Sequence, residues 1–102
     1  MNILEDTMTK EQELMNFLDA KVFRPVLQSS AASASLKSSV TRAKFRTAQR
    51  DAMGIVHFFW TSIVGMDRST GLSKQMKDEG FDPFDIVVQE FRIRFNDAWL
   101  KS

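Results

Sequence analysis

The sequence contains no cysteine, no tyrosine and a single histidine, His57, in 102 residues. Without cysteine the chain can form no disulfide, no thiolate metal site and no cysteine nucleophile. It also lacks the HExxH, GxSxG, Walker A and GxGxxG patterns that mark common catalytic and nucleotide-binding sites. Because the chain lacks these residues and motifs, we expect no enzyme activity, no cofactor and no metal site.

Long hydrophobic runs are absent as well. The longest, Gly54 to Met66, has 13 residues, whereas a membrane span needs about 20. The first ten residues include Glu5 and Asp6 and no apolar run, which is unlike a secretory signal. We therefore expect a cytoplasmic protein with no membrane partner.

The apolar content is sufficient for one core. Hydrophobic residues make up 43% of the chain, including nine Phe and two Trp, and this length suits one domain rather than two. We predict a flexible N-terminal arm over residues 1–8 and a single helical domain over residues 9–102.

Two helices are predicted in the first half. Thr9 followed by Gln12 fits a capping box that begins the first helix, and Pro25 is expected to end or kink it near Phe23. The stretch from Ser29 to Ser39 is rich in Ser and Ala, which is compatible with a linker or with a capped helix start. We expect a loop first and a helix from about Ser35.

The segment Gly54–Val64 has hardly any polar face, which is typical of a buried helix. A buried strand gives a similar pattern over a short run, but no other segment offers a convincing partner strand. Leu72 to Glu79 then predicts a short helix that Gly80 terminates. Asp82 followed by Pro83 is a helix start, with Asp82 as the cap.

The last predicted helix has two apolar faces. The first spans about 100° of the helical wheel and faces the core; its members are Phe84, Val88, Phe91, Phe95, Ala98 and Trp99. Ile86, Ile93 and Leu100 recur every seven residues on the opposite side, as in a helix that meets a second partner. Residues 91–95 alternate as a strand would, but the helical fit over the whole segment is better.

These elements predict an all-α fold, a small three- or four-helix bundle with a buried central helix and a two-faced C-terminal helix. The helix order in space does not follow from the sequence.

Charge is unevenly distributed although the net charge is only +1. Residues 29–50 contain five bases and no acid, between two segments that are each weakly acidic. Arg42, Arg46 and Arg50 lie within about 80° on one side of a helix, where they could contact an anion or a nucleic acid. Lys37 and Lys44 project elsewhere, so a solvated face or a patch for an acidic protein explains the segment equally well.

The remaining polar candidates have simpler explanations. His57 lies in a mostly apolar run, so we expect it to be buried and hydrogen-bonded rather than a general base or metal ligand. Helix-end roles account for most of the acidic cluster Asp78, Glu79, Asp82 and Asp85, whose spacing does not match an EF-hand loop. Ser69 and Thr70 are interpreted as ordinary loop residues.

The sequence therefore favours a small non-catalytic interaction or regulatory module. The second apolar stripe, Ile86, Ile93 and Leu100, predicts pairing with itself as a homodimer and with an unidentified protein. The alternative is a nucleic-acid-associated protein that uses Arg42, Arg46 and Arg50.

Overall fold

The computed structural model describes residues 8–65 and 71–102, and no strand occurs in that part of the chain, so the all-α prediction is confirmed. Residues 1–7, most of the predicted arm, and 66–70, which include Ser69 and Thr70, lie outside the described residues. Within the described ranges six helices follow one another: α1 (Lys10–Leu18, Asp19–Phe23 and Arg24–Leu27), α2 (Ala34–Ala48), α3 (Ala52–Phe58 and Phe59–Val64), α4 (Gly71–Asp78), α5 (Phe84–Arg94) and α6 (Asp97–Lys101).

The helix α1 begins at the predicted capping box and continues past its predicted end. The side chain of Thr9 accepts from the Gln12 N–H, and the Gln12 side chain accepts from the Thr9 N–H. Pro25 does not stop the helix, because the preceding segment Asp19–Phe23 is π-helical. There the Arg24 N–H donates to the Asp19 carbonyl, five residues back. This wider turn accommodates a residue that has no N–H to donate.

The helix α3 occupies the centre of the molecule, as predicted. It packs against α1, α2 and α4, and Phe59 on its inner side stacks on Phe91 of α5 with ring centroids 3.8 Å apart. Its opposite side reaches solvent, however, because Met53 and His57 are exposed. The segment is therefore buried on its inner side rather than all round.

A cluster of aromatic rings joins four of the helices. Phe91 contacts Phe17 of α1 at 6.0 Å between centroids, and Trp60 of α3 at 5.7 Å. Phe95 continues the row to Trp99 of α6 at 4.8 Å. Phe91 is fully buried, so this cluster holds α5 in place against α1 and α3.

The connection from α4 to α5 follows the predicted helix signals closely. Gly80 has a φ of 87°, and the Phe81 N–H donates to the Met76 carbonyl, as in a Schellman cap. The next helix begins one residue later than predicted, at Phe84 with Pro83 as its cap. Residues 91–94 belong to this helix, so the strand alternative for this region is wrong.

Candidate functional site

The outer face of α5 carries two exposed isoleucines. The side chain of Ile86 is 68% exposed and that of Ile93 is 74% exposed, so neither belongs to the core. They lie two turns apart on one side of the helix. Gln89, which is exposed and neutral, lies between them, while Glu90 faces Lys21 of α1 at 3.8 Å. Between the two isoleucines this face therefore presents one neutral side chain, Gln89, and one carboxylate, Glu90, which is paired with Lys21.

Leu100 does not continue this face, which corrects the predicted three-residue stripe. The helix α5 ends at Arg94 and a separate helix begins at Asp97. The side chain of Asn96 stabilises the break, because its Nδ2 donates to the Ile93 carbonyl while its Oδ1 accepts from the Trp99 N–H. Leu100 then packs against the core as a partly buried residue.

The three arginines of the basic segment are all exposed but do not share one face. Arg42 and Arg46 lie one turn apart on α2, whereas Arg50 follows the end of that helix. The Arg50 guanidinium lies 4.7 Å from the centroid of the Phe58 ring, so it covers α3. Sequence periodicity grouped the three because it assumed that the helix continues to Arg50.

Arg42 and Arg46 border a shallow groove between α2, α3 and α4. The groove has a volume of about 180 Å³ and is open to solvent. Its walls combine two cations, polar side chains and an apolar floor, from Ser39, Arg42, Ala43, Arg46, Phe58, Ser62, Leu72 and Gln75. Among the described residues no carboxylate forms an ion pair with either arginine. Both side chains are exposed, so the two guanidinium groups are accessible from solvent.

Phe45 is a surface residue that the sequence reasoning missed. Its side chain is 64% exposed, and it borders an open depression along α2 with Lys37, Thr41 and Arg42. The sequence pattern could have predicted its exposure, because Phe45 lies outside the apolar stripe of α2 that faces the core, Leu36, Val40 and Thr47. The helix α2 therefore carries an exposed aromatic ring among basic side chains, in addition to the exposed pair Arg42 and Arg46.

Lys44 points to the other side of α2, as predicted. Its Nζ lies 3.0 Å from Oδ1 of Asp19, whose Oδ2 accepts from Arg24 at 2.6 Å. The hydrogen bond from Lys44 is the largest cause of a lowered pKa of the Asp19 carboxyl; burial opposes it, and Arg24 adds to it. This contact ties α2 to α1 and takes Lys44 out of the exposed basic surface.

His57 is exposed, so the prediction of a buried, hydrogen-bonded histidine is wrong. It lies two residues from both Ile55 and Phe59, and residues at that spacing point to different sides of a helix. Its main-chain carbonyl accepts from the Thr61 hydroxyl at 2.9 Å. An apolar sequence context therefore did not imply burial at this position.

The acidic side chains near Gly80 hold the structure together. Glu79 accepts from the Ser33 N–H at 2.8 Å and from its hydroxyl, which fixes the start of α2. Asp78 forms an ion pair with Lys74 on the same helix. In the part of the chain that the structure describes, no group of three or more histidine or acidic side chains is placed to hold a metal ion.

Comparison with known proteins identifies no relative of this chain. No family model, curated protein or solved structure matches the chain. Within residues 8–65 and 71–102, no helix has the length and apolar character needed to cross a membrane. The exposed surfaces of α2 and α5 are therefore the candidate functional sites of the chain.

Proposed function

We propose that this protein is a non-catalytic cytoplasmic interaction module that pairs with itself through the outer face of α5. The observation that carries the proposal is the pair of isoleucines, 68% and 74% exposed, two turns apart on one helix. Large apolar side chains on one exposed helix face are typical of a surface that another protein covers.

A two-fold dimer suits this face. If two α5 helices cross in antiparallel orientation, Ile86 of one protomer meets Ile93 of the partner subunit, and the reverse contact forms by symmetry. Gln89 and Glu90 then lie near the crossing point, where the ion pair of Glu90 with Lys21 of its own chain offsets the repulsion between two like charges. The face is thus complementary to itself.

The dimer should be weak. Covering the four isoleucine side chains contributes about 4 to 8 kcal/mol, and association costs at least about 4 kcal/mol. The gain exceeds the cost by at most about 4 kcal/mol, so we expect a dissociation constant of about 1 mM or weaker. A module of this kind assembles reversibly with concentration, which is suited to a regulatory role.

Replacing Ile93 with Glu should abolish the dimer without unfolding the chain, because this side chain contacts solvent rather than core. Sedimentation equilibrium should show the mass of the native protein rising from 11.7 kDa toward twice that value at several hundred micromolar. The Ile93→Glu variant should remain at 11.7 kDa with an unchanged far-ultraviolet circular dichroism spectrum.

Met53→Glu is the matched control, since Met53 is 69% exposed on α3, a different helix. This variant should dimerise as the native protein does. A native protein that stays fully monomeric at about 1 mM, the tightest expected dissociation constant, would refute self-association, and equal loss in both variants would place the contact elsewhere.

A further inference from the structure

We propose that the outer face of α2 binds single-stranded nucleic acid, with Arg42 and Arg46 on backbone phosphates and Phe45 against an unpaired base. This surface is separate from the outer face of α5, so the proposal does not depend on dimerisation. It also differs from the sequence-based alternative, because Arg50 is occupied on the Phe58 ring and Phe45 takes part instead.

The first support is charge. Residues 29–50 contain no acid, and Lys44 is the one base among them that the described part of the chain pairs with a carboxylate. Arg42 and Arg46 are both exposed on the same helix, one turn apart, and side chains at this spacing are neighbours, about 5 to 6 Å apart at Cβ. Within residues 8–65 and 71–102 neither guanidinium group is paired with a carboxylate, and two such neighbouring groups form a site for oxyanions.

The second support is the shape of the surface. The groove beside Arg42 and Arg46 has a volume of about 180 Å³ and the depression beside Phe45 one of about 650 Å³. Both are open to solvent, whereas small-molecule pockets enclose most of the ligand surface. The depression beside Phe45 is formed by α2 alone, so it is a helix surface rather than an enclosed cavity. An extended, flexible anion fits this surface better than a compact ligand.

The third support is the composition of the face. The cores of protein interfaces are depleted in charge, whereas nucleic-acid interfaces are polar and strongly positive. The polar side chains that line the depression with Phe45 match a nucleic-acid interface; they are Lys37, Ser38, Thr41 and Arg42. The outer face of α5, with its two exposed isoleucines, is closer to a protein interface.

Phe45 distinguishes single strands from duplexes. A 64% exposed ring offers a face on which an unpaired base can stack, and such stacking supports binding without sequence preference. Bases in a duplex are already stacked on their neighbours. Phe45 and Arg42 are three residues apart and line the same depression, so a base on the ring would lie beside a phosphate on Arg42, and Arg46 lies one turn further along the helix.

The direct test is fluorescence anisotropy with a labelled oligothymidine of about 20 nucleotides, a length that covers a typical single-strand site. We expect saturable binding at about 50 mM salt. The affinity should fall as salt rises, with a log–log slope of about −1.4 to −2.1 for two or three phosphate contacts on a single strand.

Arg42→Glu combined with Arg46→Glu should weaken binding at least about tenfold. Lys77→Glu combined with Lys101→Glu is the control, because these exposed lysines lie outside α2 and the change in net charge is the same. Phe45→Ala should weaken binding about fivefold or more, and Phe45→Trp should restore it, because tryptophan keeps a stacking surface.

Four outcomes would overturn the proposal. They are no saturable binding at low salt, equal loss in the lysine control, binding of a polyglutamate peptide as tight as that of the oligonucleotide, and tighter binding of a duplex that Phe45→Ala leaves unchanged. The Ile93→Glu variant should bind the oligonucleotide like the native protein, which separates this result from the test of dimerisation.

Discussion

Asp19 links two helices through one carboxylate, with Lys44 of α2 on one oxygen and Arg24 of α1 on the other. Its side chain is only 21% exposed, and its pKa in the folded protein is lowered, chiefly by the hydrogen bond from Lys44. Because the folded pKa lies below the unfolded one, the contribution to stability is fully present above about pH 3.9. It is lost as the pH falls through the folded pKa.

We expect Asp19→Asn to lower the free energy of unfolding by about 1 kcal/mol at neutral pH, the upper end for exposed ion pairs. Urea denaturation followed by circular dichroism measures this difference. The gap between native and variant protein should narrow as the pH falls below about 3.9, because the native carboxylate is then protonated.

The pair Lys74–Asp78 supplies the comparison for Asp19. Both of its side chains are at least half exposed and lie on one helix, so Asp78→Asn should cost less than about 0.5 kcal/mol. If the two substitutions cost the same, the contact between α1 and α2 contributes nothing beyond an ordinary surface pair.

Two helix ends depend on glycine for different reasons. Gly71 starts α4 with a φ of 73°, and an added Cβ would lie 2.5 Å from the main-chain oxygen of Ser62. Gly80 follows the same helix with a φ of 87°, but nothing lies within 4 Å of its added Cβ. Only the first position combines backbone strain with a collision.

We therefore expect Gly71→Ala to destabilise the protein by about 3 kcal/mol and Gly80→Ala by about 1 kcal/mol. Thermal denaturation of both variants tests the order. A larger loss for Gly80→Ala would contradict the close approach of α4 to Ser62.

Helix starts and ends were predictable where local side-chain hydrogen bonds or glycine decide them. The capping box at Thr9 and the terminating Gly80 are examples, since each depends on residues within one turn. Pro25 marks an irregularity near Phe23, as predicted, but it is a π-helical turn and not an end of the helix. Such a turn is a rare alternative that no residue pattern predicts. The break at Asn96 carried a signal, an N-cap residue followed by Asp97, but the apolar periodicity through Trp99 concealed it.

The candidate surfaces were predictable only in part, because they depend on how helices pack. Exposure of Arg42 and Arg46 followed from their position beside the buried stripe of α2, which consists of Leu36, Val40 and Thr47. The polar groups facing them, Ser62 of α3 and Gln75 of α4, did not, because periodicity within one helix says nothing about its neighbours. Leu100 was misplaced for the same reason, since its direction depends on the break before it.

At the scale of the whole molecule, Phe91 contributes most to packing, since it is fully buried and contacts rings of α1 and α3. We expect Phe91→Ala to lower the free energy of unfolding by about 3 to 5 kcal/mol, a large share of the 5 to 15 kcal/mol or so of a small domain. Chemical denaturation should show this loss as a lower midpoint.

Phe45→Ala is the control for Phe91→Ala, because it removes the same ring from an exposed position. We expect it to change stability by less than about 0.5 kcal/mol. A comparable loss in both variants would mean that ring packing around Phe91 does not hold the helices together.

The same row of rings gives the molecule its own optical reporters. Tyrosine is absent, so Trp60 and Trp99 supply the long-wavelength fluorescence, and each has a cation nearby, Arg92 at 5.3 Å and Lys10 at 5.8 Å. Trp60 lies on the central helix and Trp99 on the last one. Replacing one tryptophan with phenylalanine would leave the other as the single fluorophore. The fluorescence of Trp99 would then report the rate at which the C-terminal helix detaches, and that of Trp60 the rate at which the central helix becomes exposed.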